Sequence, residues 1–262
     1  MKEFFVATIY TPLYNVFVGI IDLVPTHEVF WAAIIFTVLI KLILSPLAKS
    51  AMVSQIKIKA IQGDLKKIQA DHKDEREVLA KKMMDLYRDN DINPLSPILV
   101  LLIQIPIILS LFFIFKSGLP LIDSEILYSF VQDPGTVEMV TFGIDLAAKS
   151  LPLAVLTGIT QYLYTKRTFA QQASITSSDG SDKKKDGKPE FGAEFQKMIT
   201  FQFTYIMPIV IVFIAYSFAS VLALYWTTSN IFAYLQDIYI RRKIEQKSGS
   251  DTKSVVPEIV SS

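Results

Sequence analysis

The chain has 262 residues, of which 51% are apolar and none is cysteine, with a formal net charge of +1. Without cysteine there is no disulfide framework, no thiolate metal site and no cysteine nucleophile. Beyond the N-terminal segment, long stretches without charge lie at 92–115, 150–165 and 198–236; against the ~20 apolar residues that cross a ~30 Å hydrocarbon core, they read as one span, one short span and two consecutive spans.

At the N-terminus, residues 1–25 carry Phe4, Phe5, Ile9, Leu13, Val16, Phe17, Ile20 and Ile21 at helical spacing, interrupted by Asn15 and Asp22. The pattern predicts an amphipathic helix lying in the membrane interface. A sixth span is the competing reading, since the run reaches only about the minimum spanning length. A lone Lys2 followed by Glu3, with no small-residue cleavage site, argues against a removed signal peptide.

The first predicted span, 29–50, holds Lys41 inside an otherwise apolar run from 29 to 47. A cation there costs about 2.5–3.5 kcal/mol on insertion scales, which makes it functional by default. Thr37 and Ser45 lie four residues to either side, so the three share one face, while Ile34, Ile35, Val38, Leu39, Leu42 and Ile43 cover the rest. Snorkelling of Lys41 to an interface is the plainer alternative. The apolar residues on both sides favour a cation facing a wet cavity inside a bundle.

Residues 51–93 change character, with nine bases and eight acids. Met52, Ile56, Ile61, Leu65 and Ile68 mark one apolar face, and Val78, Leu79, Met83, Leu86 and Tyr87 another, either side of Asp71-His72-Lys73-Asp74. This predicts a cytoplasmic helical hairpin open to partners, with a solvated connector as the alternative. Asn93-Pro94-Leu95-Ser96-Pro97 starts a second span, 95–116, which contains Gln104 and a kink-forming Pro106.

The loop 117–149 carries Asp123, Glu125, Asp133, Glu138 and Asp145 against Lys149 alone. A third span, 150–166, places Thr157, Gln161 and Thr165 at successive steps of four. Residues 167–196 are rich in Ser, Lys, Asp and Gly and predict a disordered loop. The fourth span, 197–217, contains Pro208; the fifth, 219–240, aligns Trp226, Asn230 and Asp237, with the turn between them near 216–221. The tail 241–262 opens on Arg241-Arg242-Lys243, placed to meet anionic headgroups. Lys and Arg concentrate in 51–94, in 166–197 and from 241 onward, so the positive-inside rule makes these cytoplasmic and 117–149 extracytoplasmic. Five spans satisfy that, with the N-terminus outside and the C-terminus inside.

Four stretches together resemble the YidC/Oxa/Alb family of membrane protein insertases. They are Phe30-Trp31 through Leu39-Ile40-Lys41-Leu42-Ile43-Leu44-Ser45-Pro46-Leu47; Asn93-Pro94-Leu95 with Leu102-Ile103-Gln104-Ile105-Pro106-Ile107; Phe142-Gly143-Ile144-Asp145-Leu146; and Met207-Pro208 with Leu224-Tyr225-Trp226-Thr227-Thr228-Ser229-Asn230. The resemblance is to the compact bacterial form. It implies an all-α polytopic membrane protein, with five transmembrane helices around a hydrophilic groove, an amphipathic interfacial N-terminal helix and a cytoplasmic hairpin.

The implied function is acceptance of nascent membrane proteins in that groove and release of their spans into the bilayer of the cell inner (plasma) membrane, with no catalysis, cofactor or metal. Lys41 matches the family's basic groove residue, usually Arg, and Gln104, Gln161, Trp226 and Asn230 fall at groove-facing or neighbouring positions. With Thr37, Ser45 and Thr157 from the polar stripes they form the candidate substrate groove. Nascent membrane proteins and the lipid bilayer are the implied partners. The ribosome, the signal recognition pathway and the Sec translocon stay open as further ones, ribosome contact being the sole route to nucleic acid.

Two departures stand out. Lys41 keeps the charge but lacks the planar fork of donors, and Ala219-Ser220-Val221-Leu222 stands where many relatives resemble Pro-Ala-Gly-Leu, so the last turn is less sharply specified.

Two other classes compete. An intramembrane enzyme is disfavoured because His27 and His72 lie outside the spans and no His-Glu-x-x-His or intraspan acid pair occurs. An anion or small-solute transporter is the stronger rival, since an intramembrane Lys suits an anion pathway; no internal repeat supports it. Trp226 and Tyr225 equally fit interfacial belt aromatics, and Gln104, Gln161 and Asn230 equally fit interhelical hydrogen bonding.

Overall fold

The computed structural model describes residues 2–72, 75–116, 122–173, 198 and 201–251. In order the elements are α1 (residues 2–23), α2 (Val29–Ala60), α3 (Gln62–Asp71), α4 (Arg76–Asp89), α5 (Ser96–Lys116), the short strands β1 (Val140–Thr141) and β2 (Ile144–Asp145), α6 (Leu151–Ala173), α7 (residues 202–217) and α8 (Ser220–Asp251). Most of the loop expected to be disordered at 167–196 and of the tail expected at 241–262 lies outside the described residues. Within them, α6 runs on to Ala173 and α8 to Asp251, past the boundaries expected at 166 and 240.

The chain is mostly helical, and its apolar surface faces outward. Glu3–Leu23 and Val29–Ile58 are long and apolar enough to cross a membrane, and shorter apolar helices cover Leu102–Phe115 and Gln202–Ser217. Leu42, Leu102, Ile159, Phe213 and Leu235, on five different helices, are each more than half exposed. A water-soluble bundle hides such residues, whereas an apolar solvent welcomes them.

Inside, α6 packs extensively on both α7 and α8; α8 also lies on α2, α2 on α5, and α1 on α2 and α5. Phe17 of α1 is fully buried, its ring edge-on to Phe36 of α2 at 5.5 Å and to Phe115 of α5 at 5.4 Å between centroids. Such edge-to-face pairs add about 0.5–1.5 kcal/mol beyond their buried area. At Gly158 of α6 the absence of a side chain lets α7 come close: a Cβ there would lie 2.3 Å from Val212 Cγ2 and 3.2 Å from the Pro208 carbonyl.

Among the described residues two π-helical turns occur, each just ahead of a proline. Val6–Tyr10 precedes Thr11-Pro12, with the Thr11 N–H donating to the Val6 carbonyl; Gln202–Ile206 precedes Met207-Pro208, with the Met207 N–H donating to the Gln202 carbonyl. A proline has no N–H and its ring collides with the carbonyl four residues back. The wider turn, one residue longer, relieves that collision. By contrast, α2 and α5 remain α-helical through Pro46 and Pro106.

One loop holds several helix ends together. Asn15, buried in α1, donates from Nδ2 to the Thr11 and Ile126 carbonyls (2.9 and 3.0 Å) and accepts the Tyr128 N–H at Oδ1 (2.6 Å); the Tyr14 hydroxyl oxygen accepts the Asp123 N–H (2.8 Å). The Val29 N–H donates to the Glu138 carbonyl (3.0 Å). At the start of α8, the Ser220 and Val221 N–H groups donate to the carbonyls of Ala148 and Leu146 (2.8 and 3.1 Å), and Ser220 Oγ donates to the Asp145 carbonyl (2.8 Å). The first N–H groups of a helix have no acceptor of their own, so the loop supplies carbonyls to α2 and α8. Its β1–β2 turn is Phe142-Gly143, both at positive φ (54° and 75°), as a tight two-residue hairpin demands.

At the opposite end, α2 continues without a break into the charged region. Its 32 residues extend about 48 Å at ~1.5 Å each, well beyond a ~30 Å hydrocarbon core. There α3 and α4 fold back around Ile61, Leu65 and Ile92, flanked by Ile58, Met83, Leu86 and Tyr87. Lys57 Nζ donates to the Asn90 and Asp91 carbonyls (3.0 and 3.2 Å), placing a cation on the carbonyl end of α4 where the helix dipole favours it.

Candidate functional site

Lys41 lies half-buried in α2, twelve residues after Val29. Its Nζ donates to Gln104 Oε1 of α5 (3.3 Å), and Gln104 Nε2 donates to the Tyr225 hydroxyl oxygen of α8 (2.5 Å). One hydrogen-bonded chain therefore links three helices. It is oriented by the cation: an ammonium only donates, so the amide presents its oxygen to Lys41 and its NH2 to Tyr225. Among the described residues no carboxylate reaches ion-pair distance of Lys41, and Gln104 takes only one of its three N–H bonds. The ammonium is free to donate to an acceptor brought from elsewhere.

The other candidates are distributed around this chain. One turn further along α2, Ser45 Oγ accepts from Gln236 Nε2 of α8 (2.8 Å). Thr37, fully buried, donates to the Ala33 carbonyl of its own helix (2.6 Å). Thr157, also fully buried, sits in the α6–α8 seam, its hydroxyl 2.8 Å from the Leu153 carbonyl, 3.0 Å from the Ala223 carbonyl and 2.9 Å from Thr227 Oγ1. Having one proton, it donates to one carbonyl while Thr227 donates to it.

Asn230 Nδ2 donates to Thr160 Oγ1 (3.4 Å), across the same seam. Trp226 is half-buried and packs on the apolar core. Gln161 is half-buried, and among the described residues its side chain makes no hydrogen bond. Lys41 and Gln104 are thus bonded directly and Ser45 lies a turn away, while Thr37, Thr157 and Asn230 spend their polar groups within or between helices.

Beyond the expected set, Tyr225, Gln236, Thr160 and Thr227 complete the polar contacts. A separate cluster forms where α6 and α8 approach the hairpin end: Asp237, 2% exposed, accepts Arg167 Nε at Oδ2 (2.8 Å) and Arg241 Nε at Oδ1 (2.7 Å). The Asp237–Arg241 spacing of four and the position of Asp237, ending the uncharged run 198–236, are visible in the sequence. Arg167 is seventy residues earlier and has no such signal. A cavity of about 550 Å3 lies elsewhere, between α1 and the loop, with Asn15, Gly19, Asp22, Tyr128 and Phe130 in its wall. It shares no residue with the Lys41 chain.

The family described as 60Kd inner membrane protein matches residues 21–247. A membrane protein insertase YidC of Fusobacterium nucleatum subsp. nucleatum is 31% identical over 210 residues, covering 80% of this chain and 84% of that protein. Proteins of the same name from Francisella philomiragia subsp. philomiragia and Francisella tularensis subsp. novicida are each 30% identical over 211 residues, covering 80% of this chain. The chain spans only 32% of the length of those two. With the matched segment running from the end of α1 through most of α8, this chain belongs to the 60Kd inner membrane protein family.

Proposed function

We propose that the protein is a membrane protein insertase, and that Lys41, held by Gln104, receives the polar outer tail of a nascent span. The observation that carries this is an ammonium with spare donors, in an outward-apolar bundle, without a carboxylate partner among the described residues. Keeping such a charge unpaired is costly, so the site favours an entering acidic or carbonyl-bearing segment. In this reading α2, α5, α6, α7 and α8 are five spans in the plasma membrane, around a groove lined by Lys41, Ser45, Gln104, Gln161, Trp226 and Asn230. A wet groove reaching partway into the membrane shortens the dry distance a polar tail must cross, and partition of the apolar span into lipid then drives release.

The charge distribution supports the orientation, with hairpin and C-terminus in the cytoplasm and the 122–148 loop outside. The packing of α1 supports the interfacial reading: its middle residues Tyr14 and Asn15 bond to loop residues 123–128. A helix crossing the bilayer would meet an outside loop at its end, not halfway along. The hairpin, reaching beyond the hydrocarbon on α2, is the surface on which ribosome or targeting partners would dock.

The test is a photo-crosslinking side chain at position 41 in membranes supplied with ribosome-bound chains exposing one span. A crosslink that appears as the span emerges and fades as the chain lengthens supports the proposal. In parallel, Lys41→Met should lower insertion of an acidic-tailed substrate by about tenfold, a loss of about 1.4 kcal/mol, and Lys41→Arg should keep it within about threefold. Silence at position 41, with insertion unchanged in Lys41→Met, would overturn the assignment and direct attention to anion flux.

A further inference from the structure

We infer that Arg167 and Arg241, held apart by Asp237, form a binding site for the phosphodiester headgroup of an anionic phospholipid at the cytoplasmic end of the α6–α8 seam. Asp237 satisfies one N–H on each guanidinium, through Nε alone. Among the described residues neither guanidinium makes a further hydrogen bond, although their side chains keep only 29% and 14% exposure. Two cations share one carboxylate, so the cluster carries a surplus positive charge and two guanidinium edges rich in unused donors. Clamping by Nε leaves the Nη groups to fork onto an acceptor with several oxygens, the geometry in which guanidinium binds phosphate. The Tyr234 ring lies 5.6 Å from the Arg167 guanidinium carbon and covers one of its faces, further orienting the group.

Depth points to lipid as the source of that phosphate. Arg167 lies sixteen residues after Leu151 and Asp237 seventeen after Ser220, about 24 and 26 Å along their helices. Both therefore arrive near the far boundary of a ~30 Å core, where lipid phosphates begin. From 237 to 247 the sequence adds Arg242, Lys243 and Lys247 against the single further acid Glu245, so the surroundings attract anionic lipid as well. The inference rests on the reading that α6 and α8 are spans ending in the cytoplasm.

The test is native mass spectrometry of the full chain, extracted from membranes and equilibrated with mixed micelles of phosphatidylglycerol and phosphatidylcholine of the same acyl chains. Phosphatidylglycerol should be retained about tenfold over phosphatidylcholine, and Arg241→Gln or Arg167→Gln should lower that preference at least about fivefold. Arg242→Gln, on the exposed side of the same turn, should leave it within about twofold, and Asp237→Asn, which removes the competing anion, should hold or raise it. If Arg241→Gln fails to fold, Arg241→Lys carries the test: it keeps the charge, lacks the fork, and should lose at least about threefold.

Equal retention of the two lipids overturns the inference, as does an unchanged preference in the Arg241 variants. Equal losses in Arg241→Gln and Arg242→Gln would reduce the effect to general surface charge. Displacement of the lipid by excess inorganic phosphate would make the ligand a free anion instead. Failure of the chain to fractionate with membranes would sink the spanning reading itself, whereas non-selective retention by a membrane-embedded chain sinks only the site.

Discussion

Gly158 shows how little room a bundle leaves at its closest crossing. A methyl there would stand 2.3 Å from Val212 Cγ2, with the Pro208 carbonyl at 3.2 Å behind it. Gly158→Ala should therefore destabilise the protein by about 1–3 kcal/mol, as overpacking does, read as a lower unfolding midpoint in detergent. Adding Val212→Ala removes the clashing atom and should restore most of the loss, so the two substitutions will be strongly non-additive.

Lys41 was the most legible residue, because a cation in an apolar run violates the composition around it. The polar stripes were legible only as faces. A spacing of four says that Thr37 and Lys41 point the same way, but not that Thr37 gives its proton to the carbonyl of Ala33, which any buried threonine in a helix can do. Tyr225 escaped because a tyrosine beside a tryptophan reads equally well as an interfacial aromatic, and only the folded arrangement puts its hydroxyl on Gln104.

Two elements depend on bonds that their own sequences do not advertise. Lys57 of α2 holds the Asn90 and Asp91 carbonyls just past the end of α4, where Asp91 takes a φ of 50°. In Lys57→Met those carbonyls lose their cation, and amide exchange across 76–89 should quicken about five- to tenfold, equivalent to about 1–1.4 kcal/mol, with α6 and α8 unchanged. Asn15 joins α1 to the loop through both ends of its amide. Asn15→Ala leaves the Tyr128 N–H and the Ile126 carbonyl unpaired and should cost about 1–3 kcal/mol, measured as a lower unfolding midpoint. The apolar runs foretold the helices, but neither their π turns nor the β1–β2 hairpin. The hairpin turn is Phe142-Gly143, without the Asn-Gly or Asp-Gly pair that usually announces one, and a positive φ at Phe142 is imposed by its surroundings rather than preferred by the residue.

On the scale of the whole molecule there are two cores of unequal size. The large one extends from α1 through α8, whereas the hairpin core has Ile61, Leu65 and Ile92 as its only buried members among the described residues. Among the described residues, limited proteolysis should accordingly cut between 62 and 92 first, leaving the large core with an unfolding midpoint close to that of the intact chain. A midpoint that collapses with that cut would show the two cores to be one cooperative unit. Helical stretches were legible where charge and hydropathy change, as between α2 and the charged segment that follows it, whereas the α7–α8 turn, inside the uncharged run 198–236, has no such signal. Which helices pair was not legible, since α6 meets α8 through threonines and α7 through a glycine rather than through any pattern of apolar residues.

The loop from 122 to 148 joins the starts of α2 and α8 by main-chain bonds and the middle of α1 through the Tyr14 and Asn15 side chains, whereas further along, α2, α6 and α8 meet through side-chain pairs such as Ser45–Gln236 and Arg167–Asp237. A body clasped at one end moves as a lever. A tilt of about 5° about the clasp, carried over ~30 Å of helix, separates the far ends by about 2.6 Å, close to the width of a water molecule, while the clasped ends stay shut. In the spanning arrangement proposed above, bending of this kind would admit solvent from the unclasped end only.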